Sequence, residues 1–185
     1  MLRARRAALS GSARAQADRA LSERLDALVA GTGRQLIAGY WAMKDEPELA
    51  AVLARWSALG RTVLLPKVVA ADAPLVFLRW EPGAAMVAGP FGTVHPADGA
   101  PMRPELLVIP CLGFDPRCYR LGYGGGYYDR TLEGLPEALG VGVAYDCCAL
   151  SGFVPHAHDL PLDCVVTETR VLRRRATDPG SAGPG

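Results

Sequence analysis

The sequence predicts an α/β fold: a single three-layer domain in which a largely parallel sheet is flanked by helices. Short apolar runs alternate with amphipathic stretches along most of the chain, and this order is typical of parallel sheets covered on both faces. With 185 residues, 50% of them hydrophobic, the chain is long enough for one domain with a sizeable core. We assign the domain to residues 1–172 and expect residues 173–185, whose apolar residues are all alanine, to be a disordered tail.

Periodicity defines the first helices and the strands. Apolar residues recur at three- and four-residue spacing over residues 12–30, which predicts a helix that ends before Gly31 and Gly33. Residues 46–60 predict a second helix with Pro47 in its first turn. Short apolar runs predict strands over residues 35–41, 61–68, 75–80, 106–110, 141–146 and 164–169.

Two remaining segments are rich in glycine. Residues 81–105 form a Pro/Gly-rich connection, which is either a ligand-contacting surface or an inert loop. The stretch CYRLGYGGGYYDR, residues 118–130, follows the strand over 106–110 and leads into a helix predicted over 127–135. Glycine clusters indicate positive φ or a close approach of the backbone to another group.

Composition excludes several classes of protein. Lysine and arginine together number 20 against 19 aspartates and glutamates, so the charge does not indicate nucleic acid or an anionic membrane as the main partner. Five cysteines without paired CxxC spacing argue against a disulfide framework and a zinc site, and fit a reducing compartment. The N-terminus has no apolar signal region, and no run is long enough to span a membrane. We expect a soluble, cytoplasmic monomer that acts on small molecules.

The glycine segment is the strongest candidate for a binding site. It matches neither the P-loop pattern nor G-x-G-x-x-G, so a generic nucleotide motif does not explain it. In α/β sheets, a glycine-rich turn that joins the carboxyl end of a strand to a helix surrounds an anion with backbone N–H groups. Arg120 before it is then a candidate phosphate partner and Asp129 after it a candidate Mg²⁺ ligand. The alternative is a tight turn whose glycines only allow packing, with Asp129 and Arg130 solvated.

The order of residues in several blocks of the sequence is more specific than their composition. The run IPCLGFDPRCYRLGYGGGYYDR (109–130), with YWAMKDEPEL (40–49), GPFG (89–92), AYD (144–146) and HDLPLDCVVTE (158–168), resembles the 5-formyltetrahydrofolate cyclo-ligases, also called methenyltetrahydrofolate synthetases. The resemblance implies a compact three-layer α/β domain. It also implies ATP- and Mg²⁺-dependent conversion of 5-formyltetrahydrofolate to 5,10-methenyltetrahydrofolate, with release of ADP and phosphate.

The resemblance also assigns residues. The nucleotide loop of the family falls on Arg120, Leu121, Gly122, Tyr123, Gly124, Gly125, Gly126, Tyr127 and Tyr128, with Arg120 and Tyr127 as catalytic residues. Residues 123–127 also lie beside the folate, as do Glu46, which matches the acid that holds the pterin ring, and Trp41. The metal ligands fall on Asp129 and Asp159.

Each assigned residue also has a structural explanation that requires no ligand. Glu46 is also an acid at a helix start, Trp41 an aromatic residue of the core, and Asp159 a turn carboxylate. His95, His156 and His158 receive no role and are expected on the surface or in loops.

The N-terminal region departs from the family pattern. The family lysine and arginine that reach the ATP phosphates align before Met1, so Arg3, Arg5 and Arg6 either take their place or form a solvated helix face. Two other functions therefore stand beside the enzyme: a non-catalytic relative that binds folate or nucleotide, and another ATP-dependent ligase or kinase on a similar fold.

Overall fold

In the computed structural model, which describes residues 1–9 and 11–175, a mixed sheet lies between two layers of helices and connections. The helices are α1 (Leu2–Ala8), α2 (Gly11–Thr32), α3 (Ala50–Ala58) and α4 (Tyr127–Glu133), with 3-10 turns at Pro90–Gly92 and Asp146–Cys148. The strands are β1 (Leu36–Ala38), β2 (Thr62–Lys67), β3 (Val76–Trp80), β4 (Met86–Ala88), β5 (Val94–Pro96), β6 (Pro101–Met102), β7 (Leu106–Pro110), β8 (Gly113–Phe114), β9 (Arg120–Leu121), β10 (Leu139–Val143), β11 (Cys164–Val166) and β12 (Val171–Arg173).

The main sheet has the order β12-β11-β10-β7-β1-β2-β3-β6. Its five central strands, from β11 to β2, are parallel. The outer strands β12, β3 and β6 pair antiparallel. The prediction of a largely parallel sheet in one α/β domain is confirmed, and parallel strands of this kind place their carboxyl ends along one edge.

Alternating side chains of the strands form two cores, one on each face of the sheet. On one face, Ile37 and Val108 belong to the cluster that includes Leu25 of α2 and Trp56 of α3. On the other face, Leu107 and its neighbours form a second cluster, against which α4 packs. Because successive residues of a strand point to opposite faces, an uninterrupted apolar run serves both cores.

The second helix begins later than the sequence predicts. Helix α3 starts at Ala50, so Pro47 lies before it and not in its first turn. Asp45 has a φ of 67°, and the Glu46 carboxylate accepts a hydrogen bond from the Met43 backbone at 2.9 Å. These two features form a turn where the pattern predicts helix.

Other differences concern short elements. Helix α1, strand β12 and the small hairpins β4–β5 and β8–β9 were not predicted, and several predicted strands are shorter than expected. A helix of seven residues and strands of two or three residues are too short for a periodic pattern to develop. Arg173 ends β12, whereas residues 176–185 of the predicted tail lie outside the described residues.

All five cysteines are free thiols in the structure. Among the described residues, the helices are each too short or too polar to cross a membrane.

Close packing beside the sheet makes Gly142 a test of the fold. A Cβ added there would lie 2.7 Å from Leu162 Cδ1 and 3.0 Å from Cys111 Sγ. We expect Gly142→Ala to lower the free energy of unfolding by about 1–3 kcal/mol, because the second core has no room for a methyl group. Urea unfolding of both proteins measures this difference.

Gly31→Ala is the matched control. A Cβ at Gly31 meets no atom within 4 Å, and the residue lies in α2. Alanine is a better helix former than glycine, so this variant should be as stable as the parent or more stable. Equal stability of Gly142→Ala and the parent would contradict the described packing.

Candidate active site

A short hairpin, β8–β9, connects strand β7 of the main sheet to the glycines at residues 122–126. Strand β8 pairs antiparallel with β9, and the Leu112 backbone N–H donates to Leu121 at 2.9 Å. The turn of the hairpin is built on Asp115, whose buried carboxylate accepts from the backbone N–H groups of Arg117 and Tyr119, each at 2.9 Å. The glycines at residues 122–126 therefore follow the hairpin and not β7 directly.

The glycines form an open loop, residues 122–126, which we call the glycine loop. Gly124 and Gly126 have φ values of 88° and 64°, in the left-handed region that favours glycine. Gly122, Gly124 and Gly125 are exposed, so their backbone groups are available to a ligand. A Cβ at Gly125 would lie 2.8 Å from the Tyr127 ring, so a larger residue there would first displace Tyr127.

An ion pair joins the two ends of this loop. Arg120 Nη2 lies 2.7 Å from Asp129 Oδ1, and the guanidinium is almost fully buried. Both partners also bind Leu160: its carbonyl accepts from Arg120 Nη1 at 3.0 Å, and its N–H donates to Asp129 Oδ1 at 3.1 Å. We call these three residues the loop clamp. From the sequence, Arg120 and Asp129 are separate candidate ligands of phosphate and metal, and their pairing is not predicted.

The two predicted metal ligands lie in neighbouring segments. Asp159 precedes Leu160 of the loop clamp, and its Oδ2 accepts from the His156 backbone at 2.7 Å. Asp159 is thus a turn carboxylate, which is the structural explanation expected from the sequence. Among residues 1–9 and 11–175, no group of three or more His, Cys, Asp and Glu side chains is arranged to hold a metal. The protein alone therefore offers at most a partial set of ligands here.

A second polar network links α1, the glycine loop and the turn before α3. Glu46 is 4% exposed, and its Oε1 accepts from the Tyr123 hydroxyl at 2.9 Å. The same hydroxyl accepts from Arg6 Nη2 at 2.8 Å. Burial, and next the charge of Glu46, raise the pKa of Tyr123, so the phenol stays neutral.

Arg6 belongs to this network, whereas the sequence leaves its role undecided. The sequence RARR has no pattern that separates a buried arginine from solvated neighbours. The structure buries Arg6 and leaves Arg3 and Arg5 exposed.

The two tyrosines after the glycine loop face different surroundings. The Tyr127 ring lies 6.0 Å from that of Phe91, which is 75% exposed and has a φ of 61°. The GPFG turn of the predicted connection therefore lies beside the residue that follows the glycine loop. Tyr128 packs against the second core, and burial raises its pKa. Trp41 packs against the first core, 5.9 Å from the ring of Trp80.

The histidines lie outside these networks. His156 and His158 are exposed in a loop, as expected. The expectation of a surface or loop position is wrong for His95, which is buried in β5 with Nδ1 2.8 Å from the Pro96 carbonyl oxygen.

Comparison with known proteins matches the chain to one family. The model of the 5-formyltetrahydrofolate cyclo-ligase family matches residues 1–168. The 5-formyltetrahydrofolate cyclo-ligase of Mycolicibacterium smegmatis is 33% identical over 152 residues, which are 75% of this chain and 76% of that protein. The cyclo-ligase of Escherichia coli K12 is 35% identical over 124 residues, 63% of this chain and 68% of that protein.

The fold agrees with the sequence matches. The structure resembles that of 5,10-methenyltetrahydrofolate synthetase from Aquifex aeolicus with a TM-score of 0.81 and 27% identity, over 99% of this chain and 95% of that one. The family resemblance noted in the sequence is confirmed. The chain belongs to the 5-formyltetrahydrofolate cyclo-ligase family.

Proposed function

We propose that this protein converts 5-formyltetrahydrofolate and ATP to 5,10-methenyltetrahydrofolate, ADP and phosphate. One observation carries the proposal beyond family membership: Tyr123 of the glycine loop donates to Glu46 at 2.9 Å. A nucleotide on the loop and a pterin ring on Glu46 would therefore lie side by side. Transfer of a phosphoryl group between two substrates requires this proximity.

The reaction divides into two steps. The formyl oxygen attacks the γ-phosphorus of ATP, the bond to the β-phosphate oxygen breaks, and ADP leaves. The neighbouring folate nitrogen then attacks the activated carbon, loses its proton and displaces phosphate. Phosphoryl transfer of this kind needs positioning and charge stabilisation more than covalent help from side chains.

The chain supplies binding groups for both substrates. The exposed backbone of the glycine loop would surround the phosphates, and the Glu46 carboxylate would accept from the ring N–H and the amino group of the pterin. Tyr127 stands next to the loop with Phe91, and we assign it to the folate and the transferred group. Trp41, half-buried beyond the end of β1, is assigned to the folate pocket.

Arg120 acts differently from a free phosphate ligand. Its guanidinium is paired with Asp129, so it would stabilise the transferred phosphoryl group by fixing the loop ends and by its charge at short range. Leu121 and Tyr128 belong to the same nucleotide segment and support the loop from the hairpin and the core.

The residues present fit a Mg²⁺ ion that arrives with ATP. Magnesium is usually held by one or two carboxylates together with substrate phosphates, and does not require a full protein cage. In the described hydrogen bonds Asp129 uses Oδ1 and Asp159 uses Oδ2, which leaves one oxygen of each for a metal. When bound, the ion would neutralise charge on the phosphates.

The free thiols and the position of the site within one chain bear on location and assembly. Five free thiols fit the reducing cytoplasm, which we propose as the location. We propose a monomer, because reduced folate and ATP both meet residues of one chain.

The direct test of the proposed function is an absorbance assay. The purified protein with 5-formyltetrahydrofolate, ATP and Mg²⁺ should form the methenyl product, and omission of ATP should abolish it. The absence of product at saturating concentrations of both substrates would rule out the proposed activity.

Glu46→Gln tests the folate site. The amide keeps the size of the side chain but replaces one acceptor with a donor, which is badly matched to a pterin N–H. Hydrogen bonds to charged groups contribute about 1.5–3 kcal/mol, so folate affinity should fall by about tenfold to a hundredfold while ATP affinity stays the same. Titration of the variant with each substrate measures both.

Glu48→Gln is its control, since it makes the same charge change at an exposed residue two positions away. Equal losses of ATP and folate affinity in Glu46→Gln would place Glu46 in a structural role.

Asp129→Asn tests the loop clamp and the metal together. The variant removes the carboxylate charge, so we expect turnover to fall by at least about a hundredfold and the Mg²⁺ requirement to rise. It also leaves the buried Arg120 charge without its partner, so the protein should be less stable by about 3 kcal/mol. A Mg²⁺ titration of the rate and a thermal melt measure the two effects.

Glu133→Gln, at the exposed end of the same helix, controls for loss of one negative charge. An Asp129→Asn variant with the Mg²⁺ dependence of the parent would remove Asp129 from the metal site.

A further inference from the structure

Arg6 is buried in a way that its contacts with the protein do not explain. The residue is 3% exposed, and its Nη2 donates to the Tyr123 hydroxyl. Its Nε and Nη1 are buried and have no hydrogen-bond partner in the described part of the chain. Buried charged groups are normally paired and fully hydrogen-bonded, because loss of hydration is costly. The position of Arg6 is therefore unlike that of an arginine that stabilises a fold.

The hydrogen bond to Tyr123 fixes the direction of a proton. A guanidinium only donates, and a phenol has one proton. The Tyr123 oxygen must accept from Arg6, so its own proton points to Glu46 Oε1 at 2.9 Å. The other oxygen of Glu46 is held by the Met43 N–H at 2.9 Å. The carboxylate is thus fixed at both oxygens, and its remaining lone pairs have a set direction.

Two arginines of α1 lie beside the ring of Tyr123. It is 44% exposed, and the guanidinium carbons of Arg3 and Arg6 lie 5.4 Å and 5.9 Å from the centre of the ring. The loop around it is rich in glycine and gives the side chain little backbone support. Without Arg6, the hydroxyl would lose the partner that orients it on Glu46.

We propose that Arg6 is a positioning residue for folate: through the Tyr123 hydroxyl it orients the Glu46 carboxylate toward the pterin ring. This inference rests on the proposed function, in which Glu46 holds the pterin. It accounts for a poorly satisfied guanidinium at this place, since the unfavourable burial serves substrate binding and not stability. It also assigns α1 a part in the recognition of folate.

Arg6→Met separates this role from a structural one. Methionine keeps an apolar stem of similar length and removes the unpaired charge, so the melting temperature should be equal to or above that of the parent. The dissociation constant for 5-formyltetrahydrofolate should rise about tenfold, because an oriented charge-assisted hydrogen bond is lost, and that for ATP should stay the same. Arg6→Lys, which can still donate to the hydroxyl, should recover most of the folate affinity.

Two further variants complete the experiment. Arg5→Met removes the same charge from an exposed position of α1 and should bind folate like the parent. Tyr123→Phe breaks the same chain of hydrogen bonds, so combining it with Arg6→Met should weaken folate binding no further than either change alone. Calorimetric titration with 5-formyltetrahydrofolate and with ATP, and thermal melts, are made for every variant.

The outcomes divide clearly. The proposal is overturned if Arg6→Met leaves folate affinity unchanged, or lowers the affinity for ATP and folate equally. Additive effects of the Arg6 and Tyr123 variants would overturn it as well. If Arg6→Met does not fold, Arg6→Lys and Tyr123→Phe take its place as the test. Unchanged folate affinity in Tyr123→Phe would then reject the proposed chain of hydrogen bonds from Arg6 to Glu46. A normal affinity in Glu46→Gln, by contrast, rejects the proposed pterin site itself.

Discussion

The loop clamp is the interaction on which the candidate site depends. Arg120 lies two residues before the glycine loop and Asp129 three residues after it, and their ion pair at 2.7 Å fixes the distance between the loop ends. Leu160 brings a third segment to the same point through its N–H and its carbonyl group. A buried ion pair is expensive to desolvate, so its value here is the geometry that it imposes more than the stability that it adds.

Fixed ends allow the residues between them to be poor in side-chain contacts. Gly124 and Gly126 adopt backbone conformations that other residues rarely take, and the exposed backbone nearby stays accessible. A loop of this composition would have many conformations if its ends were free. The clamp reduces that number before any ligand binds, which is the preorganisation that the proposed phosphate-binding role requires.

The sequence predicts the sheet well and the polar networks poorly, for a physical reason. Strands such as β7 and β10 are runs of apolar residues buried on both faces, so composition alone identifies them. The residue pattern makes the glycine segment, Arg120 and Asp129 candidates, whereas Glu46 is a candidate only because the sequence around it resembles a family. Neither source predicts that Arg120 pairs with Asp129 or that Arg6 is buried, because both facts depend on segments that are distant in sequence and meet only in the folded chain.

Asp129 joins the structural role of the loop clamp to the chemistry proposed for the site. One oxygen of its carboxylate is bound by Arg120 and by Leu160. A cation bound by the other oxygen would share the negative charge with a buried guanidinium, which lowers the affinity of this position for a free metal. Such a site suits an ion that arrives already coordinated by ATP phosphates, since the nucleotide supplies the remaining ligands. The same arrangement would hold Mg²⁺ weakly between turnovers, and would let the ion leave with the product nucleotide.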